Sequence, residues 1–193
     1  MKRILPLLLG MFFALLAFPA AAQDEDAPIE YTERVPADNY GIATLHARAA
    51  DWVDHHFAYG PKTNFVSDAA AGTVSVLGTI KLKPVDSKGQ PLERTARFEF
   101  NFKATEQGYT YSVSNFKVIP DAQQPGQLVN FDAYLSLLRA EKNNDKNKND
   151  RRVRAQANAL ASEIAMSFRS YMNQIPTAED GSVGLPASES AGN

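Results

Sequence analysis

Thr95-Ala96-Arg97-Phe98-Glu99-Phe100-Asn101-Phe102-Lys103-Ala104 is the stretch that decides the fold. Its even positions are aromatic or small and its odd positions polar, a period of two that marks a strand with one buried and one wet face. After Gly108 the alternation restarts as Tyr109, Tyr111 and Val113. The two runs read as an antiparallel hairpin, with Phe102 opposite Tyr109, Phe100 opposite Tyr111 and Phe98 opposite Val113. Cross-strand pairs of this kind contribute roughly 0.2–1 kcal/mol each. Beyond Val113 the parity slips, because Phe116 and Val118 would face water in an unbroken strand. A bulge at Ser114-Asn115 is therefore predicted, which returns both to the core.

Working upstream, Val74, Val76, Gly78, Ile80 and Leu82 line one face of a further strand, while Thr73, Ser75, Leu77, Thr79 and Lys81 line the other. A turn at 84–91 joins it to the hairpin, and a brief strand at 64–67 precedes it across a turn at 68–72. Gly78 sits where every neighbour of the same parity is large, so it is predicted to make room for Trp52. Ile42, Leu45, Ala49, Trp52, Val53 and His56 repeat at helical spacing, giving a helix over 40–58 capped by Asp38 or Asn39. Before it, residues 29–35 alternate as a short strand stopped by Pro36.

Downstream, Phe131, Leu135 and Leu138 predict a short helix over 131–140. Residues 141–152 contain no apolar side chain and read as a flexible, solvated loop. A final helix over 153–173 carries Leu160, Ile164, Phe168 and Tyr171, with Ile175 just beyond, on one face. The order is strand, helix, four strands, helix. It predicts an α+β domain with an antiparallel sheet of about five strands and both helices on one face.

The ends speak of export. Lys2 and Arg3 precede an apolar run at 4–18 and an Ala20-x-Ala22 site, which predicts a signal peptide over 1–22. The run is shorter than the roughly 20 residues that a bilayer requires. An acidic lead-in at 23–28 follows, then a single domain at 29–175 and a disordered tail at 176–193. Cleavage removes two bases and no acid, taking the formal charge from -2 to -4. Such a charge argues against a nucleic-acid partner. The chain has no cysteine, which excludes disulfides, zinc-thiolate sites, thiol nucleophiles and a lipoprotein anchor. The expected product is periplasmic or secreted, with no transmembrane segment after cleavage.

Catalytic signals are sparse. Asp51 and His55 stand one helical turn apart and could offer two ligands to a metal, but the sequence supplies no Glu-x-x-His or His-Glu-x-x-His pattern for a third. His55 and His56 also suit the last turn of a helix simply by their charge. There is no Gly-x-Ser-x-Gly elbow and no glycine-rich phosphate loop. No catalytic, cofactor-binding or metal-binding residue is assigned, and no cofactor is expected. Trp52, Phe98, Phe100, Tyr109, Tyr111 and Phe168 are the candidates for lining a ligand groove, although inward aromatics commonly just fill a core.

Three stretches carry a resemblance. They are Leu45-His46-Ala47-Arg48-Ala49-Ala50-Asp51-Trp52, then Asp68 with Gly72-Thr73-Val74, and Gly108-Tyr109-Thr110-Tyr111-Ser112-Val113-Ser114-Asn115-Phe116. Over residues 31–120 the chain resembles an uncharacterised family of exported bacterial proteins, domain of unknown function 4468, whose fold is similar to half of the TATA-box-binding protein. The resemblance implies a TBP-like sheet with helices on one side, and it transfers no catalytic residue.

Three readings of function follow. The preferred one is an exported, non-catalytic envelope module that binds another protein or a surface polymer through the open sheet face or loops. The second is a carrier of a small apolar ligand held in a groove between the final helix and the sheet. The third is a hydrolase or metal enzyme around Asp51 and His55. The outward face of the long strands carries Ser75, Arg97, Glu99, Asn101, Lys103 and Ser112 and no aromatic residue. It therefore lacks the stacking platforms that bases and sugars use.

Overall fold

A computed structural model describes residues 28–174; the leader, most of the acidic lead-in, Ile175 and the tail lie outside the described residues. The hairpin is formed by β4 (Arg94–Thr105) and β5 (Gly108–Ile119), and the bulge is where the parity change requires it. Arg97 pairs with Lys117 and Glu99 with Ser114, so Asn115 and Phe116 together oppose Phe98. Asn115 takes the left-handed conformation, φ 54°, which asparagine tolerates better than most residues. Phe116 and Val118 are consequently buried.

The register differs from expectation by two residues: Phe102 pairs with Tyr111, Phe100 with Val113 and Ala104 with Tyr109. The reason lies at Gly108. It is a strand residue paired with Thr105, so the turn shrinks to Glu106-Gln107. Its other neighbour is Pro36 of β1 (Tyr31–Pro36). At φ 134° a Cβ on Gly108 would collide with the Val35 carbonyl, so glycine here serves the close approach of a third strand.

The sheet runs in the order β1-β5-β4-β3-β2, wholly antiparallel, with β3 Thr73–Leu82 and β2 Thr63–Asp68. A two-residue β6, Val129–Asn130, adds a sixth strand beside β5. At the far edge, all six β2 residues are exposed, Phe65 and Val66 included. Its pairing with β3 is interrupted between Thr63 and Val66, where Asn64 has φ 52°.

The apolar face of the sheet is covered by α1 (Ile42–Asp51), α2 (Phe131–Ala140) and the long α4 (Asn149–Met172). Helix α1 starts two residues later than expected, with Gly41 and not Asp38 or Asn39 at its N-cap. It ends in one wide π-helical turn, Trp52–His56, which buries Trp52 and Val53 and leaves His55 and His56 outside. Residues 141–152, expected as a loop, hold a helical turn, α3 (Asn144–Asn147), and the first four residues of α4. Helix α4 buries Val153, Ala157, Ala161, Ile164, Ala165, Phe168 and Met172, whereas Leu160 and Tyr171 are only half-buried. The three alanines let this helix lie close to its neighbours.

The space at Gly78 is not taken by Trp52. Its cross-strand partner Phe98 lays its ring over the glycine, and a Cβ there would also come within 2.7 Å of the Phe57 ring. Trp52 belongs to the next layer, touching Phe57 edge-on at 5.3 Å between ring centroids.

Candidate functional site

Six rings were the groove candidates, and Phe168 of α4 is their centre. Its centroid lies 5.1 Å from that of Trp52, 4.9 Å from Phe100, 6.1 Å from Tyr109 and 4.8 Å from Tyr111. Phe98 joins through Phe57, which also meets Trp52. All six candidates are at most 3% exposed. Edge-to-face packing at these spacings is the geometry of a filled aromatic core, so the candidates touch one another where a groove would have to be.

Asp51 and His55 do meet: Oδ1 of Asp51 lies 3.0 Å from Nδ1 of His55. The other Asp51 oxygen accepts the Tyr171 hydroxyl from α4. Arg48 stacks over the Tyr171 ring at 3.6 Å and approaches Asp51 at 3.8 Å. The Tyr171 hydrogen bond, chiefly, holds the Asp51 carboxyl below its ordinary value, with His55 assisting. Among the described residues no group of three His, Cys, Asp or Glu gathers to hold a metal. What the cluster does is join the end of α1 to the end of α4.

A second junction ties the edge strand to the same helix. Glu33 of β1 accepts the hydroxyls of Tyr111 and, at 3.2 Å, Tyr31, and pairs with Arg169 at 3.2 Å. Burial, then the Glu33 carboxylate, pushes the Tyr111 phenol up. Neither junction is complete in local sequence, because Tyr171 in the first and Tyr111 and Arg169 in the second come from distant segments.

Among the described residues no helix covers the other side of the sheet, and its cross-strand register sorts the polar residues into rows. One row runs Thr32, Ser112, Asn101, Ser75, and the next Arg34, Thr110, Lys103, Thr73. Together with Glu30, all of these except Arg34 line a shallow dish of about 490 Å³. Toward the other end Arg97 and Lys117 are direct cross-strand partners, with Thr79 beyond Arg97. Lys81 sits one diagonal away, its ammonium donating to Thr95 at 2.9 Å. Like charges placed opposite each other weaken a sheet, so this end of the face is unbalanced until an acidic group meets it. The nearby Glu99 carboxylate is taken up by the Asn115 amide at 2.6 Å.

A polar cleft beyond the β3–β4 connection escaped sequence reasoning. Asn149, buried at the start of α4, accepts from the Val85 N–H and donates to the Val85 carbonyl, both at 2.8 Å. The only sequence signal is an asparagine inside a run without apolar residues. His46, buried and 3.0 Å from the Ser67 hydroxyl, was missed because its partner comes from a separate strand.

A six-stranded antiparallel sheet with helices on one face defines a TBP-like α+β domain. Residues 31–118 match the family described as "Domain of unknown function (DUF4468) with TBP-like fold". Two solved structures are similar. One is a TBP-like protein from Parabacteroides distasonis, at 14% identity and TM-score 0.55, covering 77% of this chain and 95% of its own. The other is a DUF4468 family protein from Bacteroides ovatus, at 12% identity and TM-score 0.50, covering 79% of this chain and 90% of its own. At such identities the likeness concerns the fold. No curated protein sequence matches.

Proposed function

We propose that this chain is an exported, non-catalytic binding module of the bacterial envelope, and that its open sheet face is where a protein partner docks. The observation that carries the reading is that face itself. Among the described residues it is a surface without a covering helix, made of hydroxyls and amides in register, with Arg97, Lys117 and Lys81 grouped at one end. A face of this composition offers many hydrogen bonds and no stacking platform, which favours a polar protein surface bearing carboxylates near the basic end. The basic leader with its Ala20-x-Ala22 site supports export. Among the described residues no helix is long and apolar enough to cross a membrane.

The test places a photo-crosslinking amino acid at Asn101, exposed in the middle of the face, and a control at exposed Met166 on α4. In cells, position 101 is expected to give a discrete adduct that position 166 does not, weakened by Arg97→Glu with Lys117→Glu. Equal adducts at both positions, or none at 101, would count against the face. The mass of the protein recovered from the envelope fraction checks export separately, with Gln23 the expected first residue.

A further inference from the structure

From the cleft between the β3–β4 connection and the α2–α4 connection we infer a binding site for a small amphiphilic anion, a short apolar body ending in a carboxylate or phosphate. This site is separate from the open sheet face and does not depend on it.

The cleft has two adjoining hollows that share Val85, Asp86, Ser87, Asn143 and Asn147. The first, of about 330 Å³, is also lined by Lys146 and Arg152. Neither cation makes a side-chain hydrogen bond or ion pair with any described residue. The single acid lining that hollow, Asp86, has an oxygen occupied by the backbone N–H groups of Lys88 and Gln90, each at 2.8 Å. Two unpaired cations, two amide side chains and the Ser87 hydroxyl around one space make a donor set for an anion.

The second hollow, of about 220 Å³, has an apolar side formed by Leu92, Pro120, Tyr134, Leu137 and Leu138, with Glu141 and Arg94, opposite in charge, among its polar lining. Leu137 is 55% exposed there, although helix α2 otherwise turns its large apolar residues to the core. Donors in one hollow and exposed apolar surface in the next specify a ligand with a charged head and an apolar body. The combined space falls within the range usual for small-molecule sites, roughly 300–1,000 Å³.

The walls are held in place without a ligand. Asp86 N–H donates to the Gln90 carbonyl at 2.8 Å and Leu92 N–H to the Pro84 carbonyl at 2.7 Å, closing the turn on itself. On the opposite wall, Asn144 N–H donates to Glu141 at 2.9 Å, and its side chain reaches Asp150 at 3.0 Å. Asn149 clips this wall to Val85. A site formed in advance loses little to ordering when it binds.

The purified protein would be titrated with octyl phosphate, octanoate, inorganic phosphate and octanol while its backbone amide resonances are followed. Octyl phosphate or octanoate is expected to give saturable shifts at Ser87, Leu92, Leu137 and Asn147, and which of the two binds more tightly identifies the head group. The double variant Lys146→Ala/Arg152→Ala, whose side chains are exposed, is expected to bind about tenfold more weakly with an unchanged circular dichroism spectrum. Leu137→Asn is expected to weaken the octyl ligands and leave inorganic phosphate unaffected. Shifts confined to other residues, undiminished affinity in the double variant, or no saturable binding by either octyl anion would overturn the site. Inorganic phosphate or octanol binding as tightly as octyl phosphate would overturn its amphiphilic character.

Discussion

Asn115 donates its side-chain amide to the Glu99 carboxylate at 2.6 Å across the bulge that it helps to create. The left-handed backbone and the hydrogen bond are separable. Asn115→Gly keeps the first and loses the second, whereas Asn115→Ala loses both and adds a steric cost of about 1–2 kcal/mol. In urea denaturation the alanine variant is therefore expected to be the less stable of the two. Equal stabilities would mean that the bulge does not depend on the conformation of this residue.

Phe98 over Gly78 makes a second prediction. Gly78→Ala presses on the buried Phe98 ring and the half-buried Phe57 ring and is expected to cost about 1–3 kcal/mol, Gly78→Val more. A shift of denaturation midpoint at constant slope is the measure. An alanine variant as stable as the parent would mean that the rings have somewhere to go.

Much of the sheet was legible because alternation records which face is buried. Phe98 to Phe102 fixed one strand, and the parity change at Phe116 located the bulge without any tertiary information. Register was less legible: Gly108 reads equally well as a turn residue or as a strand residue against which another backbone packs, and only β1 decides between them. The same limit explains Gly78, where an absent side chain says that something large comes near but not which ring. The helix-facing alanines 157, 161 and 165 carry too little hydrophobicity to mark a face. At the candidate sites, Asn149 and His46 look like surface residues until Val85 and Ser67 are brought to them.

The clip at Asn149 is expected to matter more than its polarity suggests. Asn149→Ala leaves both backbone groups of Val85 without their partner, at a cost of about 1–3 kcal/mol. Hydrogen exchange should show the Val85 amide losing protection while Val76 in the middle of β3 retains it. Protection kept at Val85 would assign the order of the turn to its own hydrogen bonds.

Alkaline pH should act through Tyr111. Burial, then Glu33, raises its phenol above the ordinary 10.0, so the folded state favours the protonated form. That contribution is present in full below pH about 10, where the phenol of the unfolded chain ionises, and is lost as pH rises toward the folded value. Stability measured against pH should fall above about 10, and Tyr111→Phe should lessen the fall. An equal fall in both proteins would place the alkaline sensitivity elsewhere.

Acid acts in the opposite sense at Asp51. Its carboxyl titrates below the ordinary 3.8, mainly through the Tyr171 hydroxyl, so its contribution is present above that value and lost as pH falls through the folded one. Carboxyl-carbon resonances should report a low titration midpoint for Asp51, and Tyr171→Phe should move it upward. No movement would assign the shift to His55 and His56.

The exposed edge strand β2 bears on how the protein behaves in a crowd. Beyond the interruption at Asn64 only Val66, Ser67 and Asp68 pair in continuous register with β3, and the kinked stretch before them cannot lie flat against an incoming straight strand. A ladder of three residues ending in a carboxylate is a poor seed for growth from molecule to molecule. Despite the exposed Phe65 and Val66, the break at Asn64 is a feature that disfavours strand-to-strand growth from this edge.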